Sequence, residues 1–379
     1  MDEQAAEKFF FVHIGRDGFT RRVGVRIARI LLKDCWRNSV SLSKDSFDAA
    51  LLPVVRDRLA EAYCSLRQSE QDVYQSVLDD NGAFREGVAH VRNCPLCATP
   101  SHDASLVYCA HGMHIVQCVQ CDLVYSREVI NRDADNSRYR ESNAMDAHMA
   151  LHTNSVYAEL ESAKARYIVT CLREASDGSN VTLLDIGCSI GAILQAAEEV
   201  GWQALGIDLN RAAVQIARSR GFDAIEGYFP EDLLSGAGPF RAITMLDVLE
   251  HAEDPVSLLF SVTRYLAPGG VLGVQVPNFN SLLIRIEGVR NNNICHGHWS
   301  YFTSETLIKA ANKVGLEVRS IETIISEIDR IRAYPAKQVI ETARLLTDRD
   351  VELAEIDHRW VHEHLLGYKI FGVFVRPLT

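Results

Sequence analysis

The stretch VTLLDIGCSIGAILQAAEEVGWQALGIDLN, Val181 to Asn210, decides the fold. It reads as a buried strand over Val181–Ile186, a glycine turn over Gly187–Gly191, a helix over Ala192–Val200 and a second strand ending in Asp208. A short apolar run that switches abruptly to helical periodicity is the pattern of a βαβ unit. Glycines at 187 and 191 let the backbone turn tightly and approach a ligand where a side chain would block it. Asp208 follows the turn by about twenty residues, the usual distance for a carboxylate that grips a ribose diol. The pattern predicts a nucleotide-like cofactor across the carboxyl ends of these two strands. Downstream, strands over 223–226, 242–247, 271–276, 316–323 and 368–375 alternate with helices over 211–218, 256–266 and 304–314, as an open parallel sheet requires.

The turn departs from the dinucleotide pattern G-x-G-x-x-G, since it reads D-I-G-C-S-I-G. Asp185 and the Gly187–Gly191 spacing resemble motif I of class I S-adenosylmethionine (SAM) methyltransferases, with Ser189 at the middle glycine position. MLDVLEHAEDP (Met245–Pro255) is similar to the strand-4 motif of that family, and YLAPGGVLGVQVPN (Tyr265–Asn278) to its P-G-G turn into strand 5. HWSYFTSETLIKAANKVGLEV (His298–Val318) resembles the segment common in its small-molecule members. The resemblance runs through nearly all of Val181–Arg376. It implies a Rossmann-like α/β fold with a seven-stranded sheet, SAM as cofactor and methyl transfer as the reaction.

Ahead of this domain, Cys94-Pro-Leu-Cys97 is followed after twenty residues by Cys118-Val-Gln-Cys121. Two C-x₂-C knuckles complete a tetrahedral Cys₄ site, and the hairpin expected between them, Ser105–Tyr108 with His114–Gln117, makes a zinc ribbon over residues 94–125. Cys109, His111 and His114 lie in the gap and stand as substitute ligands. Four protein ligands leave no open position for a catalytic water, so one structural zinc is expected. Small-molecule methyltransferases related to sugar-tailoring enzymes carry a similar ribbon.

Residues 1–93 read as a mostly helical accessory domain that covers the substrate or builds a homodimer interface. Phe9–Ile14 suits a short strand, Arg21–Arg37 a basic amphipathic helix, and Ser46–Val77 continues helically with Pro53 in a first turn. Residues 126–180 form a linker and the helix before strand 1, which together would close over SAM. Residues 181–379 are the catalytic domain, with a helical insertion at about 327–366 that reads as one or two helices and a substrate lid.

A net charge of −11 disfavours nucleic acid as substrate. The excess lies outside residues 1–93, which contain 14 Lys/Arg against 14 Asp/Glu. No apolar run approaches a membrane span and the acidic start MDEQAAEK is unlike a signal peptide, so a cytoplasmic protein is expected. Ten cysteines in such a compartment suit metal or buried thiols rather than disulfides.

The cofactor contacts follow from the turn and the resemblance. The loop at Gly187, Ser189 and Gly191 would cradle the methionine end, with Asp185 orienting it. Asp208 would accept from the ribose hydroxyls, while capping of the next helix falls to Asn210. Leu209, Tyr228 and Phe229 would flank adenine, Asp247 would line the methionine or adenosine pocket, and Tyr139 would fold over SAM. Methyl transfer is an in-line displacement for which a general base adds about 10²–10⁴ in rate. Bases must come from loops at the carboxyl ends of the strands, and the candidates are His298, His296 and His251. Cys295, His296 and His298 are also a candidate second zinc set. The expected function is methylation of an oxygen, carbon or nitrogen of a small molecule in specialised-metabolite or sugar biosynthesis. An RNA or protein methyltransferase that uses the ribbon and basic helix for recognition, and a non-catalytic SAM-binding scaffold, are the alternatives.

Overall fold

A computed structural model describes Lys44, Asp48 and residues 52–131, 149–176, 181–233 and 236–378. The stretches Phe9–Ile14 and Arg21–Arg37, and Tyr139, lie outside the described residues. The N-terminal portion has helices α1 (Leu52–Arg58) and α2 (Ala60–Val77), with Pro53 in the first turn of α1. A short strand β1 (Ala89–Val91) follows and pairs antiparallel with β5 (Glu128–Ile130), which ties the segment before the ribbon to the one after it.

Between them, β2 (Ser105–Ala110) and β3 (Met113–Gln117) form the hairpin expected from the cysteine spacing, and β4 (Val124–Ser126) adds a third strand. The turn at His111–Gly112 has φ of 52° and 80°, the left-handed pair that a tight hairpin turn demands. Each C-x₂-C knuckle closes on itself: Ala98 N–H donates to Cys94 O at 2.8 Å and Asp122 N–H to Cys118 O at 3.1 Å.

The large sheet begins after α3 (Ser155–Ala175), whose first turn is capped by the Asn154 side chain accepting from Val156 N–H. Its elements are β6 (Thr182–Ile186), α4 (Ala192–Glu199), β7 (Gln203–Asp208), α5 (Arg211–Ser219), β8 (Ala224–Glu226) and β9 (Phe240–Leu246). There follow α6 (Pro255–Tyr265), β10 (Leu266–Pro277), α7 (Leu282–Glu287), β11 (Ser300–Tyr301), α8 (Ser304–Lys313) and β12 (Glu317–Ile324). The fold closes through α9 (Ile328–Ile331), α10 (Ala336–Thr347), α11 (His358–Glu363) and β13 (Lys369–Val375).

The seven strands lie in the order β12-β13-β10-β9-β6-β7-β8. β13 alone runs against its neighbours, between β10 and β12; β10, β9, β6, β7 and β8 pair in parallel. The order reverses between β6 and β9, and a crevice opens beyond the carboxyl ends of strands at such a switch point. The apolar runs read in the sequence are therefore central strands covered on both faces, as the burial of Leu183, Leu184, Ile243, Met245, Leu272 and Val274 shows. Helix caps are local as well: Asn210 accepts from Ala213 N–H, and Asp254 from Ser257 N–H with Pro255 beginning α6.

Two features lie beyond what the sequence pattern encodes. First, the ribbon docks through β-pairing, since β4 pairs antiparallel with β11 and the sheet β11-β4-β3-β2 joins the ribbon to the larger domain. Lys309 Nζ donates to Cys121 O at 3.0 Å and Lys313 Nζ to Leu96 O at 2.5 Å, so α8 holds both knuckles. Second, the insertion carries three helices rather than one or two. They pack on α7 around Leu282, Leu283, Ile286, Ile331, Val339 and Val361. None of residues 327–366 lines the cavity described below, so among the described residues the insertion is a buttress and not a lid. Its apolar positions are buried against α7.

Asp48 fastens this buttress. Buried to 2% exposure, its carboxylate accepts from Ser326 N–H at 2.8 Å, Ser326 Oγ at 3.0 Å and His362 Nε2 at 2.5 Å. Among the described residues no helix is long and apolar enough to cross a membrane. Asp48→Ala would leave the Ser326 and His362 donors buried without their acceptor. It is expected to lower stability by roughly 3 kcal/mol in urea denaturation, and Asp48→Asn by less, because one acceptor oxygen remains.

Candidate active site

The turn after β6 is held in a conformation that only small residues tolerate. Gly187 has φ +78° and Gly191 φ +90°; an added Cβ would lie 2.5 Å from Val248 Cγ2 at the first and 2.7 Å from the Phe222 ring at the second. Ser189 occupies the left-handed region with φ +45°, which accounts for a glycine being usual there. The turn is tied to β7 through Asp208, whose carboxylate accepts Ser189 N–H at 2.8 Å and Asn210 N–H at 2.7 Å. Burial pushes the Asp208 carboxyl upward, opposed by these two backbone donors. A carboxylate has about four acceptor sites, so hydroxyl donors can still reach it. Asp185, at the end of β6, accepts from Thr244 Oγ1 on β9 at 2.7 Å; burial raises its carboxyl to about 7, against that hydrogen bond.

These residues line one cavity of about 970 Å³ at the switch point. Asp185, Gly187, Ser189, Asp208, Leu209, Tyr228, Phe229 and Asp247 all border it, as do His251, His296 and His298. Gly191 stands behind the wall as the N-cap of α4. The sequence-derived set is thus brought together, apart from Tyr139. From the other side, α3 and the residues before it contribute His152, Tyr157, Glu161 and Lys164.

At the far end, Asp247 has φ +53° and a fully engaged carboxylate. It accepts from Gln275 Nε2 at 2.7 Å and pairs with Lys369 Nζ at 2.8 Å. Burial alone would raise its carboxyl, but Lys369 and Lys164 overcome that and hold it below its ordinary value. Burial likewise works against the Lys369 ammonium, and the neighbouring Asp247 and Glu250 outweigh it, so the lysine keeps its proton. Next in the chain, Glu250 is 1% exposed and neither carboxylate oxygen has a hydrogen-bond partner among the described residues. Burial and then the nearby Asp247 push it well above the usual carboxylate range.

The three histidines differ in surroundings. His298 Nδ1 lies 3.0 Å from Asn293 O and His251 Nδ1 2.8 Å from Gly297 O, and the rings meet edge to face at 4.7 Å. A carbonyl opposite Nδ1 places the proton there and the lone pair on Nε2. Burial, then His251 and Lys369, keep His298 neutral. His296 instead faces the ribbon hairpin: Nε2 lies 2.6 Å from His111 O, and its ring contacts Tyr74 at 4.4 Å and Phe84 at 5.3 Å. Cys295 and His296 are not clustered with His298; the third member beside His298 and His251 is Glu250. Trp299, Tyr301 and Phe302 are core, at 1%, 4% and 1% exposure, and Trp299 also borders the cavity.

Sequence reasoning missed Glu250 and Lys369. The one signal for Lys369 was a lysine opening an otherwise apolar strand, and for Glu250 an acid next to the histidine already singled out.

In the ribbon, the four expected cysteines converge. Cys94 and Cys121 Sγ lie 3.5 Å apart, Cys97 and Cys118 Sγ 3.4 Å apart, and all four within 4.8 Å of one another. Cys109 sits exposed on β2, His114 bonds Glu128, and His111 stacks on Tyr74, so none of these joins the cluster.

Residues 157–321 match a family model described as a methyltransferase domain. This segment is similar to methyltransferase domains. Its β6–α8 core is the part that carries the glycine turn, Asp208 and the Glu250–His298 wall. Over 218 residues the chain is 25% identical to the C-methyltransferase NovU of Streptomyces niveus, which takes in 56% of this chain and 48% of that protein. Over 106 residues it is 36% identical to the ubiquinone biosynthesis O-methyltransferase of Caulobacter vibrioides, covering 26% of this chain and 41% of the relative. The chain therefore spans about half, or less, of the length of these curated relatives. The solved plantazolicin methyltransferase BpumL in complex with SAH is 13% identical, with a TM-score of 0.44 over 64% of this chain and 93% of that one.

Burial of the Asp185 carboxyl makes stability pH-dependent. Between the ordinary value of 3.8 and about 7 the folded chain holds a proton that the unfolded chain has lost. Stability therefore falls as pH rises through that window. Asp185→Asn is expected to lose less stability than the wild type between pH 5 and 8, by roughly 1–3 kcal/mol in urea denaturation; an equal loss in both would contradict the assignment.

Proposed function

We propose that the chain is a SAM-dependent methyltransferase that alkylates an oxygen or carbon of a small-molecule acceptor. The observation that carries this reading is one cavity with two unlike ends. One end has the glycine turn, Asp208, Leu209, Tyr228 and Phe229; the other has Asp247, Lys369, Glu250, His251 and His298.

The residues fit the cofactor. At Gly187 a Cβ would fill the space over the turn, the backbone there is left-handed, and the first N–H groups of α4 open toward a carboxylate. In this reading Gly187, Ser189 and Gly191 hold the methionine end, Asp208 the ribose hydroxyls, and Leu209, Tyr228 and Phe229 the adenine. Asp247, locked by Lys369 and Gln275, lines the path between. SAM, when bound, supplies a methyl group made electrophilic by a sulfonium. The Glu250, His251 and His298 wall then orients the acceptor and the neutral His298 takes up its proton, while the buried surroundings keep water out.

The acceptor is read as small because the methyltransferase domain resembles small-molecule enzymes and the chain is acidic. In the ribbon, four thiolates suit one structural zinc: a tetrahedral ion with Zn–S bonds of about 2.3 Å sets sulfurs about 3.8 Å apart, close to the spacing present. The histidine loop runs straight into β11, the strand that pairs with β4 of the ribbon. Removal of zinc would therefore loosen the acceptor wall as well as the ribbon.

Native mass spectrometry is expected to report one zinc and copurified SAM or S-adenosylhomocysteine, and incubation with SAM and metabolite extracts a product heavier by one methylene. Absence of any binding to SAM or its product would overturn the reading. His298→Ala should cut kcat about 100-fold or more while changing SAM affinity, measured by calorimetry, by no more than about threefold.

A further inference from the structure

Tyr74, on α2, borders the cavity beside the histidine loop. Its ring centroid lies 4.6 Å from that of His111 in the ribbon hairpin and 4.4 Å from that of His296, which it meets edge to face. Held between these two, the ring is a fixed piece of wall. It comes from outside residues 157–321, the stretch similar to methyltransferase domains, so this chain adds it to the site from its own N-terminal part.

The surfaces around it are of the same kind. Val129 and Ile130 of β5, 1% and 5% exposed, border the cavity. On the side of α3, His152 and Tyr157 supply a second edge-to-face ring pair, with centroids 5.1 Å apart. Walls of rings and branched aliphatics suit a flat unsaturated ring, which packs on them by stacking and edge contacts. A polyol would set hydroxyls against Val129 and Ile130 without partners. The base narrows the choice. Burial, then His251 and Lys369, hold the His298 imidazole well below its ordinary value, which makes it a weak base. A weak base is matched to an acidic hydroxyl, such as a phenol that ionises like tyrosine at about 10, and not to an alkyl alcohol.

We propose that the acceptor is a phenol and that Tyr74 selects it by packing against its ring. This deepens, and rests on, the SAM-dependent reading. The phenol O–H gives its proton to His298 Nε2. Its oxygen forms the new C–O bond with the methyl carbon as the C–S bond breaks, and the electron pair stays on sulfur in a neutral thioether.

The probes are phenol and cyclohexanol, rings of equal size that each bear one hydroxyl and differ in flatness and acidity. Both are added to the full chain saturated with S-adenosylhomocysteine and read by saturation-transfer NMR. Phenol is expected to bind at least about tenfold more tightly than cyclohexanol. Tyr74→Ala should weaken phenol binding about tenfold and Tyr74→Phe, which keeps the ring, by no more than about threefold. S-adenosylhomocysteine affinity should hold in both variants, a result that general loosening of the fold would not give. No phenol binding, cyclohexanol bound as tightly, or a Tyr74→Ala chain that binds phenol as the wild type does would each overturn the proposal. The wild-type comparison decides even where a variant fails to fold. S-adenosylhomocysteine bound without phenol sinks only the phenol site; failure to bind S-adenosylhomocysteine at all sinks the underlying reading.

Discussion

The carboxylate of Asp208 joins two adjacent parallel strands at the point where the cavity opens. Its oxygens take the N–H of Ser189, in the turn after β6, and of Asn210, at the start of α5. Backbone donors in a tight turn cannot be left buried and unpaired, so this carboxylate stabilises a loop whose Ser189 is itself in the left-handed region. Gly187 and Gly191 can then sit with ring and methyl groups pressed where their side chains would be. Loosening that clamp would disturb the turn, the strand spacing and the cavity together.

The opposite end of the cavity depends on a separate body of contacts. The loop that carries His296 and His298 leads into β11, which pairs with ribbon strand β4. Arg92, half-buried and with its guanidinium pKa lowered to about 10 by desolvation, donates to Trp299 O and to Glu253 O, bridging the loop and the strand-4 motif. His296 reaches the hairpin turn at His111 O. The ribbon thus acts as a brace for the histidine loop and is not an appended module. Its cysteine cluster and the acceptor wall are coupled through the short β4–β11 pairing and a few hydrogen bonds.

Charge in this wall is unevenly matched. Asp247 and Lys369 neutralise each other, which leaves Glu250 without a counter-ion a few residues away. The pair is half-buried, and it fixes geometry more than it adds stability. It orients the near end of β13 against the strand-4 loop, and the carboxylate of Glu250 beside it is the least satisfied polar group of the site.

The sequence by itself determined the βαβ unit, the sheet and the ribbon hairpin. Each of these rests on short-range physics: apolar runs of strand length, glycines where φ must be positive, and cysteines spaced for one ion. That the glycine turn, Asp208, Tyr228, Phe229, Asp247 and the histidines would border one cavity was legible from the motif resemblance, since motif positions lie at the carboxyl ends of predicted strands. Only the tertiary structure decided that Lys369, 122 residues from Asp247, would neutralise it, and that the insertion would pack on α7. Only it decided, too, that Glu250 would join His251 and His298 while His296 turned to the ribbon. Those outcomes depend on which surfaces meet across the fold, and no local periodicity encodes the partner of a buried charge.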